Sequence, residues 1–209
     1  MTSLKDSIRC GESWKLHYRK MCAHITKYAK GVWDFDQSSI FAQIDAFVQR
    51  CRDLLEVCEG QIQFARKNES GKKTPIPFFG GSRGPEITKS LEDIEVAFEK
   101  HVSNLWQIRR LILDVKATQW HDDYNAFKQG IKDLEVMMQN VIVGAFDSVL
   151  TVEAQVELLE IFHHLAKRET IKRTVERKVA DVWKCFLNEL NNVKVRLKEL
   201  TFLIHIHDL

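Results

Sequence analysis

The stretch LEDIEVAFEKHVSNLWQIRRLILDV, residues 91–115, decides the fold class of this chain. Its apolar positions recur at alternating steps of three and four residues, the period that places side chains along one face of an α-helix. The row comprises Leu91, Ile94, Phe98, His101, Leu105, Ile108, Ile112 and Val115, and only His101 in it is polar. The pattern predicts a long amphipathic helix that buries one narrow face.

The same period recurs on both sides of this stretch. Comparable rows run from Trp14 to Tyr28, from Ile40 to Ile62, from Trp120 to Ala145, from Val152 to Leu165 and from Ile171 to Leu197. Narrow apolar faces on long helices pack side by side. The sequence therefore predicts an all-α fold, an elongated bundle of about five to six long antiparallel amphipathic helices. Whether the helix that ends near Val115 breaks before Trp120 stays open, since neither Gly nor Pro lies between them.

The rows also predict how the chain is organised. We expect one helical bundle over residues 14–200, with a loop at 67–84 between two of its long helices. Residues 1–13 are expected to be poorly ordered. Residues 201–209, TFLIHIHDL, are expected to form a divergent C-terminal tail.

The composition is that of an ordinary globular protein. The 209 residues include 44% hydrophobic and 29% charged side chains, and the net charge is +2. So small a charge gives no reason to expect nucleic acid or a membrane surface as a partner. The five cysteines include no CxxC pair, and Cys51 and Cys58 fall seven residues apart in one apolar row. We expect packed, reduced thiols.

The stretch TPIPFFGGSRGPEITKS, residues 74–90, resembles a phosphate-binding loop in its glycines alone. A nucleotide-binding P-loop requires Lys followed by Ser or Thr after the last glycine. Here Gly84 is followed by Pro85 and Glu86, and the acidic residue stands where a phosphate would bind. Proline suits the first turn of a helix, where its missing N–H is not needed. The stretch is therefore predicted to be a turn between two antiparallel helices, without a bound cofactor.

The histidines and carboxylates form no convincing metal or catalytic site. Metal ligands on one helix face stand three or four residues apart, whereas His121, Asp122 and Asp123 are adjacent. An acidic first turn of a helix is the better interpretation. His163 and His164 diverge on a helix, and the pair His205 and His207 would converge only on a strand. No catalytic residue or metal ligand is predicted.

The densest charged segment is KRETIKRTVERK, residues 167–178. Its six basic side chains are Lys167, Arg168, Lys172, Arg173, Arg177 and Lys178, and we call them the basic strip. One interpretation is a solvated helix face. The other is a docking strip for an acidic partner.

Long segments of the chain resemble the N-terminal tail of dynein heavy chains, most closely those of the axonemal kind. The segments are VWDFDQSSIFAQIDAFVQRCRDLLEVCE, FFGGSRGPEITKSL, ILDVKATQWHDDYNAFKQGIKDLEVMMQNVI and LAKRETIKRTVERKVADVWKCFLNELNNVK. The resemblance runs from about Trp14 to about Lys198. It implies a helical tail bundle that supports assembly of an ATP-driven, minus-end-directed microtubule motor for ciliary movement.

The resemblance also implies partners and a location. It implies dynein intermediate chains and other heavy-chain segments as partners, with microtubules reached only through the motor. It implies residence in the cytoplasm and cytoskeleton, in the axoneme of a cilium or flagellum. The family's ATPase modules lie outside the matching residues, so no enzyme activity is expected. The final TFLIHIHDL departs from the family's continuation, and we expect a fragment, an incomplete gene model or a short isoform.

Two alternatives stay open at this point. A stand-alone helical adaptor could keep the tail fold without the motor, and an NTPase built on the glycine loop is the weaker alternative. The sequence does not distinguish which heavy chain it resembles, which residues touch partners, or the oligomeric state. A bundle taken from a longer stem should expose an apolar face that a neighbour normally covers.

Overall fold

The computed structural model of the protein describes residues 1–28, 37–68, 70–106, 114 and 119–207, and side chains within these ranges except those of 37 and 201–207. Six α-helices occupy these residues: α1 Thr2–Tyr28, α2 Gln37–Gln63, α3 Gly84–Trp106, α4 Gln119–Asp147, α5 Val152–Leu165 and α6 Glu169–His207. No strand occurs within the described ranges. The all-α fold predicted from the apolar rows is confirmed. No described helix is long and apolar enough to cross a membrane.

The helices extend further towards both ends of the chain than the sequence predicted. Helix α1 begins at Thr2 and so includes residues 1–13, for which we expected poor order. Its side chain pairs hold this stretch to itself and to α2: Asp6 bonds Arg9, and Glu12 bonds Arg52. Helix α6 continues to His207, through residues assigned to a separate tail, so His205 and His207 lie on a helix and not on a strand.

The chain folds as two compact units. Unit 1 consists of residues 1–74 and 94–134, and unit 2 of residues 75–93 and 135–209. Helices α3 and α4 each contribute residues to both units. Each unit has its own buried apolar cluster, described in turn below.

In unit 1, helix α1 packs antiparallel on α2. The rings of Trp14 and Tyr18 meet Phe41 with centroid distances of 6.2 and 5.3 Å. Further towards the start of α1, Gly11 lies against Val48, and a Cβ atom there would be only 2.6 Å from a Val48 methyl carbon. A side chain at residue 11 would therefore push the two helices apart.

The centre of unit 1 is an aromatic cluster contributed by three segments. Phe98 of α3 is fully buried and lies 5.5 Å from Phe64 and 6.3 Å from Phe127 between ring centroids. Gly60 of α2 makes room for it, because a Cβ atom there would be 2.7 Å from the Phe98 ring. Burying a phenylalanine side chain of this kind stabilises the fold by about 1.5–3 kcal/mol.

A buried carboxylate of α2, Asp53, is paired within unit 1. The Trp120 indole N–H donates to an Asp53 carboxylate oxygen at 3.0 Å, and the Gln49 amide donates to the other oxygen at 2.9 Å. The Arg50 guanidinium lies 4.5 Å from the Trp120 ring centroid. The start of α4 is thereby fixed against α2, since an unpartnered buried carboxylate would be costly.

The loop after α2 is held on α3 by a buried carboxylate. Glu95 of α3 accepts a hydrogen bond from Arg66 at 2.5 Å and forms an ion pair with Lys73. Burial alone would raise the pKa of Glu95, but the hydrogen bond from Lys73 and the positive charge of Arg66 outweigh it, and the pKa is lowered. The carboxylate therefore stays ionised and holds both ends of this short loop.

In unit 2, the short helix α5 and the long helix α6 form a hairpin joined by residues 166–168. Phe162 is fully buried, with ring centroids 5.5 Å from Phe79 and 6.1 Å from Phe146. Thr151 caps α5 by accepting a hydrogen bond from the Ala154 N–H, so α5 begins directly after Thr151, as the sequence predicted.

The apolar positions of residues 91–105 form the buried face of α3. Leu91, Ile94, Phe98 and Leu105 are at most 3% exposed, and Ile108, Ile112 and Val115 lie outside the described residues. His101, the polar member of the row, is half-buried against Gly130 of α4. Of the two cysteines expected in the core, Cys51 is buried and Cys58 is half-buried, and both are free thiols.

Candidate interaction surface

The glycine loop leads into α3, and the backbone geometry requires two of its glycines. Gly81 has a positive φ of 80°, which favours glycine. A Cβ atom on Gly84 would lie 2.1 Å from the Phe79 carbonyl oxygen, so the last glycine is required by close backbone approach. The loop thus makes a sharp turn into α3.

The first turn of α3 already carries a negative charge. The Arg83 guanidinium donates to both carboxylate oxygens of Glu86, at 2.9 and 3.0 Å. These hydrogen bonds lower the pKa of Glu86, which stays ionised. A carboxylate in a first turn stabilises the helix dipole and repels a phosphate, in agreement with a turn as the role of this stretch.

The described residues contain no cluster of three or more His, Cys, Asp or Glu side chains that could hold a metal ion. Asp122 lies in the first turn of α4, the role predicted for this acidic segment. His163 and His164 lie in the last turn of α5 and are exposed. Positive charge is favourable at a helix C-terminus, so these imidazoles have an ordinary structural place.

The basic strip begins the helix α6, but two of its six side chains already serve the fold. Arg168 donates to Glu135 of α4 at 2.5 Å, and the two side chains are only 19% and 13% exposed. Lys178 lies 3.5 Å from Asp147 and 5.7 Å from the Phe146 ring centroid. Both side chains attach α6 to α4 within unit 2.

The remaining basic side chains are exposed on different sides of α6. Arg173 bonds Glu169 one turn earlier at 3.3 Å. Lys172 and Arg177 form no ion pair with any residue that the structure describes. On a helix, Arg173 and Arg177 are neighbours four residues apart, whereas Lys172 points elsewhere. The six basic side chains therefore do not form one continuous surface. The docking interpretation therefore applies only to the exposed members, which also include Lys167.

A second feature of α6, which we call the apolar row, is more prominent. It comprises Val179, Trp183, Phe186, Leu190, Val193, Leu197 and Leu200, at alternating steps of four and three residues. Every member is exposed, from 37% for Val179 to 59% for Trp183. Residues at this spacing share one face of a helix, so α6 presents a continuous apolar face to solvent.

The sequence pattern had placed most of this row in a packed seam, and this prediction is wrong beyond Val182. Helix α5 has 14 residues and α6 has 39, so α5 can cover only the first part of α6. Ile171, Val175 and Val182 are buried, whereas Leu190 is 49% exposed. The sequence contained a signal for this exposure, because the apolar pattern of Val152–Leu165 is much shorter than the pattern that begins at Ile171. The exposed apolar face that we expected of a bundle from a longer stem is present.

A groove opens between α5 and α6 near the start of α5, beyond which α5 no longer covers α6. Its volume is about 560 Å³, and it is lined by Val152, Glu153, Val156, Leu159, Val179, Val182, Trp183, Phe186 and Glu189. We call it the α5–α6 groove. The lining is apolar except for two carboxylates, and the groove continues into the exposed apolar row. An apolar groove beside an uncovered helix face is typical of a site that receives another helix.

Fold and surface together define a class of protein. The described residues form amphipathic helices with no metal cluster, and their most conspicuous surface is an apolar face suited to protein contact. The class is an all-α segment built of amphipathic helices. The sequence profile of the family "Dynein heavy chain, N-terminal region 1" matches residues 1–201, and the chain belongs to this family.

Similar proteins support the assignment. The chain is 51% identical over 194 residues to "Dynein-1-beta heavy chain, flagellar inner arm I1 complex" of Chlamydomonas reinhardtii, an alignment that covers 93% of this chain and 4% of that protein. It is 51% identical over 144 residues to "Dynein axonemal heavy chain 2" of Mus musculus, covering 69% of this chain and 3% of that protein. It is 30% identical over 161 residues to "Dynein beta chain, flagellar outer arm" of Chlamydomonas reinhardtii, with 77% and 3% covered.

These alignments also show which part of a dynein the chain resembles. The chain spans only 3–4% of the length of these relatives. The matching part is the N-terminal tail region, which is not the motor ATPase region of dynein heavy chains. The family match begins at residue 1 and so includes residues before Trp14.

Proposed function

We propose that this chain is a non-catalytic assembly segment of the tail of an axonemal dynein heavy chain. In this proposal it associates with dynein intermediate chains and with other heavy-chain segments. It supports an ATP-driven, minus-end-directed motor complex in the axoneme of a cilium or flagellum, where it meets microtubules only through the motor. It binds no nucleotide itself.

The observation that carries the proposal is the exposed apolar row of α6 in a chain that belongs to the dynein tail family. Seven apolar side chains along one helix face are costly to leave in water, and such a face marks a protein contact site. The names of the flagellar and axonemal relatives support the location.

The test is co-expression of the chain with dynein intermediate chains and, separately, with a heavy-chain tail segment, followed by purification of the chain. We expect at least one of these proteins to co-purify with the chain. We expect Leu190→Asp to abolish co-purification, because it places a charge in the middle of the apolar row, while the helical circular dichroism signal stays unchanged.

A matched control is Asn191→Asp, which adds the same charge one residue further on a different side of α6. This variant should co-purify like the wild type. If neither intermediate chains nor heavy-chain segments associate with the wild-type chain, the proposed function is wrong. A tagged chain expressed in ciliated cells should also be found in axonemes, and the Leu190→Asp variant should not.

A further inference from the structure

Carboxylates border the α5–α6 groove on its α5 side, and Glu189 of α6 lines the opposite wall. Glu153 lines the groove, and Glu157 and Glu160 follow it on α5 at spacings of four and three residues. Residues at these spacings lie along one side of a helix. All three side chains are exposed. We call them the acidic edge, and it runs beside the apolar floor that Val156 and Phe186 help to form.

The acidic edge is electrostatically unbalanced within the chain. None of its three carboxylates forms an ion pair with any residue that the structure describes. Like charges one turn apart on a helix repel each other. Only the charge of Glu153 is stabilised within the chain, because Glu153 lies in the first turn of α5, where negative charge is favourable. Glu157 and Glu160 are therefore open to pairing with basic side chains of a partner.

We infer that the α5–α6 groove binds an amphipathic helix of an assembly partner whose apolar stripe is bordered by Lys or Arg on the side that meets α5. The inference rests on the proposed function and specifies the chemistry of the partner. The apolar floor receives the stripe, as in other complexes in which a helix lies in a groove. The acidic edge then fixes which side of the incoming helix faces α5.

The same charges argue against a second copy bound groove to groove. A two-fold symmetric contact brings the same surface patch of both molecules together. Both walls of the groove carry a carboxylate, Glu153 on α5 and Glu189 on α6, so either orientation of such a contact brings like charges together, which is unfavourable. A basic partner helix removes this repulsion, whereas a second copy would increase it.

Two designed peptides test the inference. Both are amphipathic helices of about 20 residues, long enough to form in isolation, with the same leucine stripe. One carries Lys along the stripe, and the other carries Glu. Fluorescence anisotropy of the labelled peptides gives their affinity for the full chain. We expect the lysine peptide to bind about tenfold or more tightly than the glutamate peptide at low salt.

Three variants locate the preference. The double reversal Glu157→Lys, Glu160→Lys should invert the order of the two peptides. The control Glu59→Lys, Glu99→Lys makes the same change in net charge at exposed positions of unit 1 and should leave the order unchanged. Val156→Asp, which charges the groove floor, should weaken both peptides. Circular dichroism checks that each variant stays helical.

Equal binding of the two peptides to the wild type would overturn the inference, and so would an inversion produced by the control as well. The result is separable from the proposed function. If the peptides show no preference while dynein intermediate chains still co-purify, only the partner chemistry is wrong. If the preference holds while no dynein subunit associates, the groove assignment stands and the proposed function falls.

Discussion

A comparison of two leucines, Leu158 of α5 and Leu190 of α6, tests whether the apolar row is open to solvent. Both belong to unit 2, and both can be changed to alanine, which keeps the helix intact because alanine has the highest helix propensity. Leu158 is 8% exposed, and Leu190 is 49% exposed. The substitution is the same at both sites, so only the surroundings differ.

The expected magnitudes follow from the burial. Replacing a buried leucine removes its transfer free energy and leaves a cavity, so Leu158→Ala should lower the free energy of unfolding by about 2–5 kcal/mol. At Leu190 half of the side chain is already in water, and no other helix would be left with a cavity. Full burial of a leucine contributes about 1.5–3 kcal/mol, so half of it bounds the loss at about 1.5 kcal/mol. Exposed substitutions commonly stay within about 0.5 kcal/mol.

Urea unfolding of the purified chain, followed by far-ultraviolet circular dichroism, measures both free energies. The denaturation slope should stay unchanged, which shows that the compared states are the same. A loss of about 2 kcal/mol or more for Leu190→Ala would refute the reasoning, because only a covered side chain costs that much. Repeating the measurement at several protein concentrations shows whether self-association supplies the cover.

Further predictions concern the remaining features. ATP with magnesium should show no saturable binding in equilibrium dialysis, and binding that disappears in Gly84→Val would contradict the assignment of the loop as a turn. His101→Leu should leave the helical signal intact and change the free energy of unfolding modestly, because removing a half-buried polar group can be close to neutral; loss of the helical signal on chelation, restored by zinc, would show a metal role. Glu95→Gln should cost about 3 kcal/mol at neutral pH, since Arg66 loses its buried partner. Because the pKa of Glu95 is lowered in the fold, its contribution is present above the unfolded pKa and is lost as the pH falls through the folded pKa. Urea unfolding across acidic pH should therefore show the difference between wild type and Glu95→Gln shrinking, and a constant difference would refute it. Reversing the charges of Arg173 and Arg177 should weaken co-purification of intermediate chains chiefly at low salt, with a change in unfolding free energy under about 0.5 kcal/mol; equal recovery at every salt concentration would leave these arginines as a solvated face.

The sequence by itself determined the helical class of the fold and the side of each helix on which the apolar residues lie. The row from Leu91 to Leu105 is buried at each apolar position, and so is nearly all of the row from Trp120 to Ala145. This is possible because the period of an α-helix is fixed by its backbone geometry, so the spacing of apolar residues reports one face without reference to any neighbour. The missing lysine motif after Gly84 was readable in the same way, since it depends only on adjacent residues.

Tertiary structure alone decided which of these faces are covered. Val175 and Leu190 belong to the same apolar pattern of α6, yet Val175 is buried and Leu190 is half in water. The basic strip shows the same limit: Arg168 is held by Glu135, 33 residues earlier, whereas Arg177 in the same strip is exposed. A periodic pattern gives the direction of a side chain about its own helix. Whether another helix lies in that direction depends on helix lengths and on contacts between residues far apart in the chain, which no local pattern contains.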